Sequence, residues 1–210
     1  MNANTKTMRT TILVTLALLQ ICFAKGQTSL KDINLKNGAY NVGFKHYTKI
    51  DSTRLYQIEN NFDNKLINRP IPISIWYPAE IKNSNSNRLT VLDYLEILKE
   101  EEESKANFLE GKFPVVVYAP SYQASSIENF TLFEYLASNG YVVISSPSRG
   151  TDTRWLEGGT TKDMETQSRD VEFLLKEIHK YEDIDFDRIA LMGFSFGGLS
   201  NAITAMKNKK

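Results

Sequence analysis

The stretch that decides the fold is Gly193-Phe194-Ser195-Phe196-Gly197-Gly198. It contains the pattern G-x-S-x-G, in which a serine stands on a sharp turn between a strand and a helix. The apolar run before it, 187–192, predicts a buried strand, and 199–206 after it can continue as a helix. Because so short a pattern also arises by chance, this strand–turn–helix context is what supports the interpretation.

The residue types around Ser195 fit a nucleophilic serine. A tight strand-to-helix turn brings two backbones together, and glycine has no Cβ to clash there, so we expect close contacts at Gly193, Gly197 and Gly198. The helix start directs free N–H groups and partial positive charge at the turn, so the N–H of Phe196 can face a developing oxyanion. The alternative is a glycine-rich turn whose serine takes no part in chemistry.

Composition indicates a globular protein, and the N-terminal sequence indicates that it is exported. The 210 residues carry no net charge and are 41% hydrophobic, which suits one domain and gives no sign of nucleic-acid binding. Lys6 and Arg9 precede the apolar run 11–24, so residues 1–26 are predicted to be a signal peptide and the protein to be secreted or periplasmic. An uncleaved anchor or a lipoprotein signal at Cys22, the single cysteine, are the alternatives.

The pattern after the signal predicts alternating strands and helices. Runs 113–119 and 141–145 are continuous and β-branched, as is typical of strands buried on both faces of a parallel sheet. Segments 127–138 and 163–181 have helical periodicity, and Gly140 is a predicted C-terminal cap. Earlier strands are predicted at 39–47 and 71–77, and a helix at 91–105. Alternation of this kind favours an α/β fold with a mostly parallel sheet.

Residues 69–206 resemble the α/β-hydrolase superfamily. Within it, they resemble the group of platelet-activating-factor acetylhydrolases and dienelactone-hydrolase-like proteins. Four stretches carry the likeness: RPIPISIWYP at 69–78, FPVVVY at 113–118, LASNGYVV at 136–143 and DRIALMGFSFGG at 187–198. The resemblance implies hydrolysis of a small-molecule carboxylic or acetyl ester by Ser195. It implies no cofactor. From the residues themselves we also expect no metal site, because the single cysteine would leave with the signal, no nucleic-acid partner, and no stable membrane span once the signal is cleaved.

The segment after the strand 113–119 departs from the family pattern. The family usually has His-Gly before the residue that donates the second oxyanion N–H, and this chain has Pro120-Ser121. Proline has no N–H and fixes φ, so a different loop geometry is expected. By position Tyr122 would be the second oxyanion donor, and the alternative is an ordinary loop tyrosine.

Ser195 lacks the expected partners in the chain order of this family, where the catalytic acid and histidine follow the serine. The two histidines, His46 and His179, both precede it, and Asp170 is interpreted as structural. We therefore expect 27–210 to be the N-terminal part of a hydrolase domain, C-terminally incomplete and inactive alone. A non-catalytic binding protein or a degenerate remnant of a hydrolase is the alternative.

Overall fold

A computed structural model of the chain describes residues 36–59, 64–80, 89–100, 107–149 and 160–208. The signal peptide predicted over residues 1–26 lies outside these ranges. The described residues from Asn37 onwards belong to one compact unit.

The described strands form one mixed sheet in the order β1-β2-β5-β4-β6, with the short β3 paired to β2. Strands β5, β4 and β6 are parallel, as the apolar runs predict, whereas β1, β2 and β3 are joined to the sheet by antiparallel pairing. The parallel part of the expected sheet is thus confined to three neighbouring strands. The six strands are β1 (Asn41–Glu59), β2 (Asn64–Glu80), β3 (Asn107–Phe108), β4 (Phe113–Ala119), β5 (Val142–Ser145) and β6 (Ile184–Gly193).

The part of the chain that the structure describes has four helices, α1 (Val91–Glu100), α2 (Phe130–Ser138), α3 (Thr161–Ile178) and α4 (Phe196–Lys207). Helix α3 starts earlier than predicted because the Thr160 and Asp163 side chains each bond the other's backbone N–H, a capping box.

The predicted C-terminal cap of α2 is confirmed. Gly140 has φ +87°, its N–H bonds the Ala137 carbonyl, and the N–H of Tyr141 bonds the Leu136 carbonyl, both at 3.1 Å. This is the Schellman arrangement, which favours glycine at its left-handed position.

Apolar side chains cover both faces of the sheet. On one face α3 packs its buried side chains, Val171, Leu174 and Ile178, against alternate residues of β2, β4 and β5. On the other face α1 and α2 contribute Tyr94, Phe133 and Ala137, which pack against Trp76, Val116 and Val143. Burial from both sides explains why β4 and β5 are continuous apolar runs in the sequence.

A buried ion network joins the long β1–β2 hairpin to α3. Asp170 accepts two hydrogen bonds from Arg69, at 2.9 and 2.6 Å, and pairs with Arg54 at 2.8 Å. Arg54 also bonds Asp51 at 2.6 Å. Burial raises the pKa of Asp51, but hydrogen bonds from Thr53 and Arg54 outweigh it and leave that pKa below its ordinary value. Asp170 therefore has the structural role expected from the sequence.

Candidate active site

Ser195 occupies a sharp turn at the carboxyl end of β6. The strand ends at Gly193 and α4 begins at Phe196, so two residues make the whole connection. Ser195 is exposed and has φ 50° and ψ −116°, a conformation that L-residues rarely adopt. In the described residues the one other non-glycine with positive φ is Gln123, at 57°, in the loop beside this turn. Strain of this kind costs about 1–3 kcal/mol per residue and tends to cluster at functional sites.

Close backbone contacts at the turn require two of its glycines. A Cβ on Gly197 would lie 1.9 Å from the carbonyl oxygen of Ala119, and one on Gly193 would lie 2.5 Å from the carbonyl carbon of Gly197. A Cβ on Gly198 would meet nothing nearer than 3.8 Å. The predicted close approach is therefore found at Gly193 and Gly197, whereas at Gly198 the prediction is wrong because that residue faces outward on α4.

The structure brings Tyr122 next to the Ser195 turn. Tyr122 lies in the segment 120–129, here called the 120–129 loop, which follows the carboxyl end of β4. Its ring meets the ring of Phe196 edge-on, with centroids 5.4 Å apart. The Phe194 N–H bonds the Ala119 carbonyl at 3.2 Å, which joins the ends of β4 and β6. Ser195, Phe196 and Tyr122 thus lie together at the carboxyl ends of parallel strands, the usual position of ligand sites in open α/β sheets.

Contacts with three other parts of the protein anchor the 120–129 loop. Gln167 of α3 donates to the Pro120 carbonyl at 2.9 Å, and Ser148, after β5, donates its N–H to the Ala124 carbonyl at 2.9 Å. Ser126 is hydrogen-bonded to Ser74 of β2 at 2.8 Å. The loop therefore has a defined conformation without the His-Gly pair of the family pattern.

The Glu128 carboxylate also anchors the 120–129 loop, because it accepts hydrogen bonds from both ends of the segment 118–121. The donors are the Ser121 N–H at 3.0 Å, the Ser121 hydroxyl and the Tyr118 hydroxyl at 3.0 Å. Asn129 donates to the Tyr118 hydroxyl in turn. Burial and the Glu128 carboxylate raise the pKa of Tyr118 well above its usual range although the Asn129 bond opposes this, so Tyr118 stays protonated and donates. This cluster could not be predicted from the sequence, because Ser121 and Glu128 lie in an irregular loop where no periodicity relates their side chains.

Neither histidine reaches Ser195. His46 lies on β1 in register with Ser74, bonds that serine at 2.9 Å, and is four strands from β6. At about 4.8 Å per strand this places it roughly 19 Å from the end of β6. His179 stacks on Phe186 near the start of β6. The two ends of β6 pair with Phe113 and Ala119 of β4, roughly 20 Å apart at about 3.3 Å per strand residue, and Ser195 lies beyond the far end. A general base must lie within hydrogen-bonding distance, which neither does.

The described ranges hold no group of three or more His, Cys, Asp or Glu side chains placed to bind a metal ion. Nor do they contain a helix with the length and apolar character needed to cross a membrane.

Comparisons with known proteins agree with this architecture. Residues 128–210 match the prolyl oligopeptidase family. Among solved structures, the chain is similar to a ferulic acid esterase from Streptomyces cinnamoneus, with a TM-score of 0.62 and 20% sequence identity over 83% of this chain. The chain spans 58% of the length of that esterase. A search of curated protein sequences finds no match.

The structural match shows the fold of an α/β-hydrolase, and the family match over residues 128–210 agrees with that fold. Neither match bears on the narrower likeness to platelet-activating-factor acetylhydrolases and dienelactone hydrolases, which stays a prediction.

Proposed function

We propose that Ser195 is the nucleophile of an exported, secreted or periplasmic hydrolase of small carboxylic esters, such as acetyl esters. Its Oγ forms a bond to the ester carbonyl carbon while a base takes its proton, and the tetrahedral intermediate then expels the alcohol. Water hydrolyses the resulting acyl-serine and releases the acid. The chemistry uses no cofactor and no metal.

The observation that carries this proposal is the strained, exposed conformation of Ser195 at the start of α4. As the first residue of the helix, Phe196 has an N–H without an intrahelical acceptor, and the helix dipole adds positive potential there. Tyr122, which is in ring contact with Phe196, would supply the second N–H to the oxyanion. The esterase named among the structural neighbours supports an ester as the substrate class.

Activation of Ser195 needs a base, and neither of the two histidines, both in the described ranges, lies within hydrogen-bonding distance of it. Loss of the histidine from such a site costs about a million-fold in turnover, roughly 8 kcal/mol of barrier. A polypeptide of this sequence is therefore expected to hydrolyse p-nitrophenyl acetate no faster than buffer. Steady turnover that Ser195→Ala abolishes would contradict this expectation.

A thiol at position 195 tests the oxyanion site without a base, because a thiolate attacks unaided. The Cys22→Ser, Ser195→Cys protein, here called the thiol variant, has a single cysteine. Two reactions are measured at one pH. Acylation by p-nitrophenyl acetate passes through a carbon-centred oxyanion, whereas attack on methyl methanethiosulfonate at sulfur does not. The ratio of the two rates, divided by the same ratio for N-acetylcysteine, isolates oxyanion stabilisation.

We expect this normalised ratio to be about ten or more, since a single oxyanion donor raises the rate about 10²–10³-fold. A ratio near one would favour the alternative, a non-catalytic binding protein or remnant derived from a hydrolase. The feature that favours the alternative is the replacement of His-Gly by Pro120-Ser121.

A further inference from the structure

The Glu128 carboxylate holds the residue that directly precedes the proposed second oxyanion donor. We propose that Glu128 is a positioning residue that fixes Ser121 and so directs the N–H of Tyr122 at the substrate's carbonyl oxygen. The inference rests on the proposed function of the 120–129 loop as half of the oxyanion site. Glu128 itself would touch neither substrate nor Ser195.

Two hydrogen bonds from one residue to one carboxylate give the anchor its directional effect. The Ser121 main-chain N–H and its hydroxyl donate to different oxygens of Glu128. A single bond would leave Ser121 free to turn about it, whereas two bonds to a planar group fix its orientation. The third donor, Tyr118, belongs to β4, so the carboxylate is itself held against the sheet.

The orientation of Ser121 determines where the Tyr122 N–H points. That N–H and the Ser121 carbonyl belong to one planar trans peptide group and point in opposite directions. The Ser121 carbonyl accepts the Ala124 N–H at 3.0 Å, which fixes one side of the plane. Because Glu128 holds Ser121 as well, the Tyr122 N–H on the opposite side of this peptide plane points in one fixed direction.

The contacts of Glu128 also explain how Pro120-Ser121 could serve where the family has His-Gly. Glycine at position 121 could not provide the hydroxyl that bonds Glu128, and histidine at 120 is replaced by a residue without an N–H. The hydrogen bonds between Ser121 and Glu128 restrain the loop in a way that a His-Gly pair could not. The other anchors, at Pro120, Ala124 and Ser126, act on the peptide groups around Tyr122 less directly.

Glu128→Gln in the thiol variant is the test. Glutamine keeps the shape but has one acceptor oxygen, so the donors of Ser121 and Tyr118 cannot all be satisfied. We expect the ratio of acylation to methanethiosulfonate reaction to fall about tenfold, part of the 10²–10³ that one donor supplies. The reaction at sulfur should change less than twofold. Glu96→Gln, at an exposed position of α1, is the matched control and should leave both rates unchanged.

Each outcome has a distinct meaning. An unchanged ratio in Glu128→Gln, with a raised ratio in the thiol variant itself, would overturn the role of Glu128 and leave the proposed function standing. An equal fall in both reactions would show a merely structural residue and also overturn it. A thiol variant with the free-thiol ratio would overturn the proposed function and this inference together. Should Glu128→Gln not fold, Ser121→Ala decides in the same way, with an expected fall of about threefold because the N–H bond is kept.

Discussion

Substitution of two adjacent glycines at the start of α4 should have opposite effects on stability. In Gly197→Ala the new Cβ would lie 1.9 Å from the Ala119 carbonyl oxygen and 2.6 Å from that of Pro120. Both neighbours are backbone atoms at the end of β4, so neither can rotate away, and helix and strand must separate by about 1 Å or more. Overpacking usually costs about 1–3 kcal/mol, and a clash with fixed backbone belongs at the top of that range or above it.

Gly198→Ala is the matched control. Its Cβ would meet only the Gly193 carbonyl oxygen at 3.8 Å, an ordinary contact, and alanine in a helix is favoured over glycine by about 0.5–1 kcal/mol. Urea unfolding measures both. With a slope near 2 kcal/mol per molar, Gly197→Ala should lower the midpoint by about 1.5 M, and Gly198→Ala should raise it slightly. Equal losses in the two variants, or a loss below about 0.5 kcal/mol in Gly197→Ala, would refute the argument from close backbone approach.

The buried ion network gives two further predictions. Asp170→Asn leaves Arg69, 2% exposed, without its counter-charge and should cost about 3–5 kcal/mol in urea unfolding, whereas Arg169→Gln at the neighbouring exposed position should cost less than about 0.5 kcal/mol. A loss under about 1 kcal/mol in Asp170→Asn would count against the network. Because the pKa of Asp51 is lowered in the folded protein, its contribution is complete above the unfolded pKa near 4 and is lost as pH falls through the folded value. Asp51→Asn should therefore be less stable than the parent at pH 7, and the difference should shrink as the pH falls from 5 towards 3; a constant difference would refute this assignment.

Local rules were enough to predict the centre of the fold. Strand β4 at Phe113–Ala119 has the predicted bounds, because a strand buried on both faces leaves a continuous apolar run. The turn at Ser195 and the cap at Gly140 could also be predicted, since both depend on backbone conformations that few residue types allow.

The sequence could not show features that depend on distant partners. Strands β1 and β2 extend well beyond their predicted bounds, over 48–59 and 64–70, where polar and apolar residues are mixed and no apolar alternation marks either strand. Arg69 and Asp170 are 101 residues apart, and only the folded chain brings them together. At the candidate site, pattern and position predict Ser195, Phe196 and Tyr122, whereas the hydrogen bonds of Glu128 depend on loop geometry that no sequence pattern indicates.

Oxyanion stabilisation at position 195 is read most directly from the normalised acylation ratio of the thiol variant, with the acyl group located by mass spectrometry. We expect a thioester at position 195 and a ratio at least about tenfold above that of N-acetylcysteine. A ratio of about one would mean that the N–H groups beside Ser195 do not stabilise an oxyanion, and it would contradict the assignment of this turn as the nucleophile site of an ester hydrolase.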